Sequence, residues 1–122
     1  MKRKLITYGR YFTDFYNSLS EGAQEKIDYV LELVKAVDII PHKFFQHLDG
    51  TDGLFEIRIE FESNIYRILC FFDKGNIVVL INSFQKKSQK TPKQELDLAH
   101  RLKKQYLIDK AIDDETGKKI KK

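Results

Sequence analysis

The chain has 122 residues, 42% of them hydrophobic, with nine Phe and six Tyr, which is ample for one compact core and too short for a second. Six Gly and two Pro exclude a collagenous or linker-dominated chain, and no apolar run is long enough to span a membrane. The net charge of +4 is unevenly spread: residues 1–83 hold ten Lys/Arg against twelve Asp/Glu, and residues 84–122 hold twelve against six.

Met1-Lys2-Arg3-Lys4 is basic, but Leu5-Ile6 is followed at once by Thr7, Gly9 and Arg10, which is no signal-peptide apolar region. A cytoplasmic location is therefore expected. Lys4 to Tyr8 reads as a first strand closed by Gly9. Phe12, Phe15, Tyr16 and Leu19 then recur at helical spacing. Ser20 is placed to cap a second helix whose apolar stripe is Ala23, Ile27, Val30, Leu31 and Val34. The short Ser18-Leu19-Ser20 junction predicts an antiparallel helical hairpin. From Pro41 to Gly53 the signals are those of a loop.

After Gly53 the period becomes two. Phe55, Ile57, Ile59 and Phe61 alternate with Glu56, Arg58, Glu60 and Glu62, the pattern of a strand with one wet face. Ser63-Asn64 makes a turn, and Ile65 to Phe72 is an apolar strand interrupted by Arg67. Asp73-Lys74-Gly75 is a second turn, and Ile77 to Ile81 reads as a strand buried on both faces. Thr91 is read as the cap of a last helix, with Pro92 at its first position and Gln94 completing a capping box. Leu98, Ala99, Leu102 and Tyr106 form its apolar side. The domain is drawn at 1–108, with 109–122 as a polar, lysine-rich mobile tail. The order predicts an α+β fold: an N-terminal strand and helical hairpin packed on one face of a mainly antiparallel sheet, with a C-terminal helix and the opposite face partly covered.

Arg67 is the strongest chemical signal, because a charge inside an apolar strand must emerge on a wet face or find a partner. With Ser63-Asn64 as a two-residue loop, Glu62 faces Ile65, Glu60 faces Arg67 and Arg58 faces Leu69. Arg67 then shares a face with Glu56, Arg58 and Glu60, opposite Phe55, Ile57, Ile59 and Phe61. A Glu60–Arg67 cross-strand ion pair is an equally good structural explanation. Lys86, Lys87, Lys90 and Lys93 lie in a ten-residue stretch without an acid, a patch able to neutralise several phosphates or simply a solvated surface. His47 is a candidate proton-transfer group if its loop reaches the arginine face, although loop histidines are more often plain surface. His100 is read as solvent-facing and Cys70 as a small core residue. One cysteine and three scattered histidines argue against a zinc site, and no phosphate loop or nucleophile elbow is present. No cofactor is expected.

Three blocks together resemble the RelE/ParE superfamily of bacterial toxins, and its phage-derived, HigB-like branch most closely. They are Asp49-Gly50-Thr51-Asp52-Gly53-Leu54-Phe55-Glu56-Ile57-Arg58, then Asn64-Ile65-Tyr66-Arg67-Ile68, then Phe84-Gln85-Lys86-Lys87-Ser88-Gln89-Lys90-Thr91-Pro92. The resemblance spans about residues 4–107. It implies a type II toxin–antitoxin toxin: a metal-independent endoribonuclease that cuts mRNA on the ribosome and is neutralised by a helix-turn-helix antitoxin from an adjacent gene. Carried over by motif, Arg67 would stabilise the reacting phosphate, Arg58 would assist it, and Lys86 and Lys87 would take part in catalysis. Lys86, Lys87, Lys90 and Lys93 would bind RNA. Some relatives place a His or Tyr late in the last strand, where this chain has Asn82-Ser83-Phe84-Gln85. That leaves the general base open among Lys86, Glu60 and His47. The superfamily also contains gyrase poisons, so a non-catalytic protein that binds gyrase or only its antitoxin is the alternative. A non-cleaving single-strand binder ranks last, since the strand aromatics point to the core.

Overall fold

The computed structural model describes residues 2–86 and 90–115. In chain order the elements are β1 (Lys4–Thr7), α1 (Tyr11–Asn17), α2 (Glu21–Ala36), β2 (Phe45–His47), β3 (Phe55–Phe61), β4 (Asn64–Asp73), β5 (Ile77–Gln85) and α3 (Lys93–Glu115). They build one five-stranded sheet in the order β1-β5-β4-β3-β2. The pairings β2–β3, β3–β4 and β4–β5 are antiparallel, and β1 returns to lie parallel to β5. The architecture is the expected α+β class.

Two apolar layers sandwich the sheet. On one face Ala23, Ile27, Val30 and Val34 of α2 meet Ile57, Ile59, Tyr66, Ile68, Cys70, Val78 and Leu80, with Phe12, Phe15 and Tyr16 of α1 beside them. Ser20 caps α2 as expected, its hydroxyl accepting from the Ala23 N–H. On the other face Leu69, Phe71, Val79 and Ile81 pack under Ala99, Leu96, Leu102 and Tyr106 of α3. Helices therefore lie on both faces, not one, which explains why β4 and β5 read as nearly continuous apolar runs.

Four expectations are corrected. The segment read wholly as loop contains β2, a three-residue edge strand too short to show any period. The β3–β4 turn is Glu62-Ser63, both with positive φ (49° and 68°), as the tight hairpin geometry requires. Asn64 is drawn into β4, where its side chain accepts from Gln85 at 2.9 Å. Pairing consequently runs Phe61↔Asn64, Glu60↔Ile65 and Arg58↔Arg67. Moving the turn by one residue moves each partner by two, and two is the strand period, so every side chain keeps its expected face. Thr91 does not start the last helix. The first helical carbonyl belongs to Pro92, which accepts from Glu95 and Leu96. Finally, α3 continues to Glu115, so the boundary drawn at 108 falls inside a helix.

A bulge in the β4–β5 pairing decides which face the end of β5 serves. Ile68 pairs with Ser83 but Cys70 with Leu80, so β5 carries an extra residue here. Before it the odd residues Val79 and Ile81 face α3; after it the even residues do, including Phe84. This shift turns Lys86 toward the face that carries Arg67.

Candidate functional site

Beside the N-terminal end of α3, the second sheet face opens into a cleft of about 660 Å³. Its polar lining includes Gln46 of β2, Glu56 and Arg58 of β3, Arg67 of β4, and Lys86 and Lys90 beyond β5. Arg58 and Arg67 stand directly opposite each other on adjacent strands. Like charges in that position repel, and each arginine is matched by a carboxylate. Arg67 Nη1 donates to Glu56 Oε1 at 2.6 Å, and Arg58 Nη2 donates to Glu60 Oε2 at 2.6 Å.

The two pairs differ in kind. Glu56 is 2% exposed and Arg67 6%, so theirs is a buried ion pair whose partners each need the other. Glu60 stands mostly in water, and the Arg58–Glu60 bridge is worth under about 1 kcal/mol. The expected Glu60–Arg67 pair is thus replaced by Glu56–Arg67, the consequence of the shifted register. Thr91 closes the buried pair, accepting from Arg67 Nη1 at 3.3 Å and donating to Glu56 at 3.5 Å. Its hydroxyl is on this pair, which is why the capping reading of Thr91 fails. Arg67 Nε is buried without a hydrogen-bond partner among the described residues. With Nη1 engaged by Glu56 and Thr91, Nε is a buried donor left unfilled beside the cleft.

Lys86 is half-buried at the rim, its backbone N–H donating to the Ile65 carbonyl at 2.7 Å. Burial lowers the pKa of its amine, the positive charges of Arg67 and Arg58 lower it further, and Glu56 and Glu60 oppose them in part. Lys90 lines the same cleft. Lys87 lies outside the described residues. Lys93 is directed elsewhere: it sits on the first turn of α3 and pairs with Asp97 at 2.9 Å.

His47 borders the cleft at the sheet edge. Its ring, however, packs edge-on against Phe55, with centroids 5.1 Å apart. Phe55 belongs to the α1–α2 face, so the imidazole lies on the opposite side of the sheet from Arg67. Strand alternation accounts for this: His47 is the direct partner of Phe55, and Gln46 is the partner of Glu56. Gln46, not His47, is the β2 residue on the arginine face. His100 is not merely solvent-facing either. Its Nε2 accepts from the Asp52 N–H at 3.2 Å, and Lys103 donates to the Asp52 carbonyl, so α3 tethers the loop that leads into β3. Cys70 is fully buried, and burial, then the Glu56 charge, push its thiol far above the ordinary range.

Sequence reasoning therefore placed Glu56 on the arginine face without naming it as the partner of Arg67, and missed Gln46 and Thr91 as members of the cleft. Glu56 is legible as a wet-face residue of β3, but its choice of Arg67 follows from register. Among the described residues, no helix is long and apolar enough to cross a membrane.

The family model described as "Phage derived protein Gp49-like (DUF891)" matches residues 14–104. That span runs from α1 into α3 and includes every residue of the arginine cleft. Among solved structures, the chain is similar to one in the crystal structure of the archaeal RelE–RelB complex from Pyrococcus horikoshii OT3. The TM-score is 0.51 at 16% identity, over 68% of this chain and 93% of that one. No individually curated protein sequence matches.

Proposed function

Since the chain belongs to the phage-derived Gp49-like family and has a fold similar to that of RelE, we propose that it is the toxin of a toxin–antitoxin pair, nearest the HigB-like branch, and acts as a ribosome-dependent mRNA endoribonuclease. The observation that carries this reading is the cleft in which Arg58 faces Arg67 across two strands with Lys86 on the rim. Cleavage by a ribose 2′-OH on its own 3′-phosphate needs no cofactor from the protein. It needs a base for the hydroxyl, cations for the charged phosphorane and an acid for the departing 5′-oxygen.

Each group's chemistry suits it to one of these roles. Arg67, held in place by Glu56 and Thr91, would direct its guanidinium charge at the non-bridging oxygens. Arg58, on a weak exposed bridge, would swing from Glu60 to the same phosphate. Release of Glu60 by that movement leaves it as a carboxylate beside the cleft, one candidate base. Lys86 is the other, because an amine with a lowered pKa exchanges protons more readily near neutral pH. Lys87 and Lys90 would hold the flanking backbone. The solved relative is a complex of RelE with RelB, which supports an antitoxin partner for this chain. A helix-turn-helix protein from an adjacent gene is the form we expect.

The test is expression of the chain in the cytoplasm, alone and together with its neighbouring gene product, while following growth and transcript length. Growth arrest with mRNA cut within translated frames, relieved by the neighbour, is the expected outcome. Intact transcripts accompanied by gyrase-dependent DNA breaks would contradict it.

A further inference from the structure

Among the described residues four polar side chains are buried: Glu56, Arg67, Asp73 and Asn82. Glu56 and Arg67 form the cleft pair, and Asp73 docks α3 through Tyr106 and Lys110. Asn82, 2% exposed, has no part in either. Its Nδ2 donates to the Glu95 carbonyl at 3.0 Å and to Glu95 Oε1 at 2.9 Å, so it ties β5 to the first turns of α3. Its Oδ1 is buried without a hydrogen-bond partner among the described residues. An unfilled buried acceptor costs stability, so the placement of Asn82 asks for a reason other than stability.

The bulge in β5 supplies the placement. Ile81 packs into the layer under α3, and the next residue, Asn82, bonds α3 as well. Two successive side chains thus face the same helix, which regular strand alternation forbids and a bulge permits.

From Asn82 a short path leads to the cleft. Glu95, gripped at both its carbonyl and its carboxylate, donates its own N–H to the Pro92 carbonyl at 3.0 Å. The ring of Pro92 fixes φ, so a displacement at Glu95 passes on to Thr91 and is not absorbed between them. The Thr91 hydroxyl in turn accepts from Arg67 Nη1 at 3.3 Å. Glu56 holds that same nitrogen from β3 at 2.6 Å. One hydrogen bond leaves the guanidinium free to swing about it, and the second, from a different element, removes that freedom.

We infer that Asn82 is a positioning residue: through Glu95, Pro92 and Thr91 it fixes the direction in which Arg67 presents its guanidinium to the cleft. The inference rests on the reading of the cleft as a ribonuclease site, and adds to it a residue that does not touch the RNA.

The experiment follows Arg67 both directly and through the reaction. In nitrogen-15 spectra of the full chain, the Arg67 Nε–H is identified by its loss in Arg67→Lys. Asn82→Leu, which keeps the volume and removes the donor, should let this proton exchange with solvent about tenfold faster, as should Thr91→Val. The urea midpoint of Asn82→Leu should match wild type, since the unfilled Oδ1 leaves with the amide. In single-turnover cleavage of mRNA on programmed ribosomes, each change should lower the rate about tenfold with ribosome affinity unchanged. Both together should also cost about tenfold, not about a hundredfold, because they cut one path. Glu95→Ala, at a half-buried position, removes the Oε1 bond and should act in the same direction, so the test does not hang on Asn82→Leu alone.

Wild-type exchange of the Arg67 Nε–H in these variants overturns the inference, as do rate losses that multiply in the double variant. A loss of rate that tracks a lowered urea midpoint marks Asn82 as merely structural and overturns it too. Should the wild-type chain cleave nothing, the ribonuclease reading fails by itself, and the exchange rates still decide whether Asn82 places Arg67.

Discussion

At the scale of single residues, the decisive arrangement is an arginine that is charged and buried yet borders the cleft. Arg67 interrupts an apolar strand, and alternation along β3 and β4 is enough to read which face it occupies. It is not enough to read its partner, because parity is conserved when a register slips by two. The buried Glu56–Arg67 pair implies a stability prediction. Glu56→Ala leaves an uncompensated guanidinium in the sheet and should cost about 3–5 kcal/mol in urea unfolding. Glu60→Ala, which removes a partner already in water, should cost under about 1 kcal/mol. Equal costs for the two would show that burial does not separate them. Cys70 supplies a second check: with its thiol buried and held protonated, it should react with a thiol reagent at neutral pH only on global unfolding. Lys86 gives a third. If it is the base, single-turnover cleavage should rise with pH as one proton is lost, with its midpoint below the ordinary lysine value of about 10.4. Lys86→Arg, which keeps the charge and loses the titration, should remove that limb.

At the scale of elements, α3 separates what a sequence reveals from what it hides. Leu98, Ala99, Leu102 and Tyr106 announce its first half by period. Its second half reads as a tail because composition turns polar at Asp109, yet polar residues are what dock it. Tyr106 donates to Asp73 at 2.7 Å, Lys110 donates to the same carboxylate at 2.7 Å, and Tyr8 donates to Asp109 at 2.6 Å. Such pairs arise from residues far apart in the chain, and no local pattern signals them. β2 is hidden for a different reason: three residues at a sheet edge take their hydrogen bonds from β3, not from any preference of their own. The bulge in β5, which aims Lys86, is equally silent in a run of apolar residues.

These contacts make the docking of α3 dependent on pH. Hydrogen bonding to Asp109 pushes the Tyr8 phenol up to about 12, and burial with the Asp73 bond pushes Tyr106 up to about 12. Their stabilisation is complete below the ordinary tyrosine value near 10 and is lost as pH rises through about 12. Burial raises Asp73, but its bonds from Lys110 and Tyr106 outweigh this and hold it below the ordinary carboxyl range. Its contribution is present above the unfolded value near 4 and disappears as pH falls through the lowered one. Ultraviolet titration should therefore find tyrosines that ionise late, and Tyr106→Phe should remove one of them. A chain ending at Ile108 should unfold at lower urea than one ending at Glu115. Equal midpoints would return residues 109–115 to the status of a tail.

At the scale of the whole molecule, the basic excess of the last third acquires a place. The fold sets Lys86 and Lys90 beside two arginines supplied by the acidic first part of the chain, so one face of the sheet concentrates positive charge. The superfamily resemblance is legible from three sequence blocks, and two of them carry Arg58 and Arg67 on strands that pair directly. Replacing Lys86, Lys87 and Lys90 together by Gln should weaken RNA binding and flatten its salt dependence by about 0.7 per lost contact. An unchanged salt slope would remove these lysines from the interface.

Whether the arginine cleft performs cleavage is tested most directly by Arg67→Lys. Lysine keeps the positive charge that Glu56 needs, so the chain should remain folded, but it lacks the planar guanidinium edge. Single-turnover cleavage of mRNA on programmed ribosomes should fall by about 10²–10³, or roughly 3–4 kcal/mol, while ribosome binding stays near wild type. Undiminished cleavage by a folded Arg67→Lys chain, or no cleavage by the wild-type chain on those ribosomes, would contradict a catalytic role for the cleft.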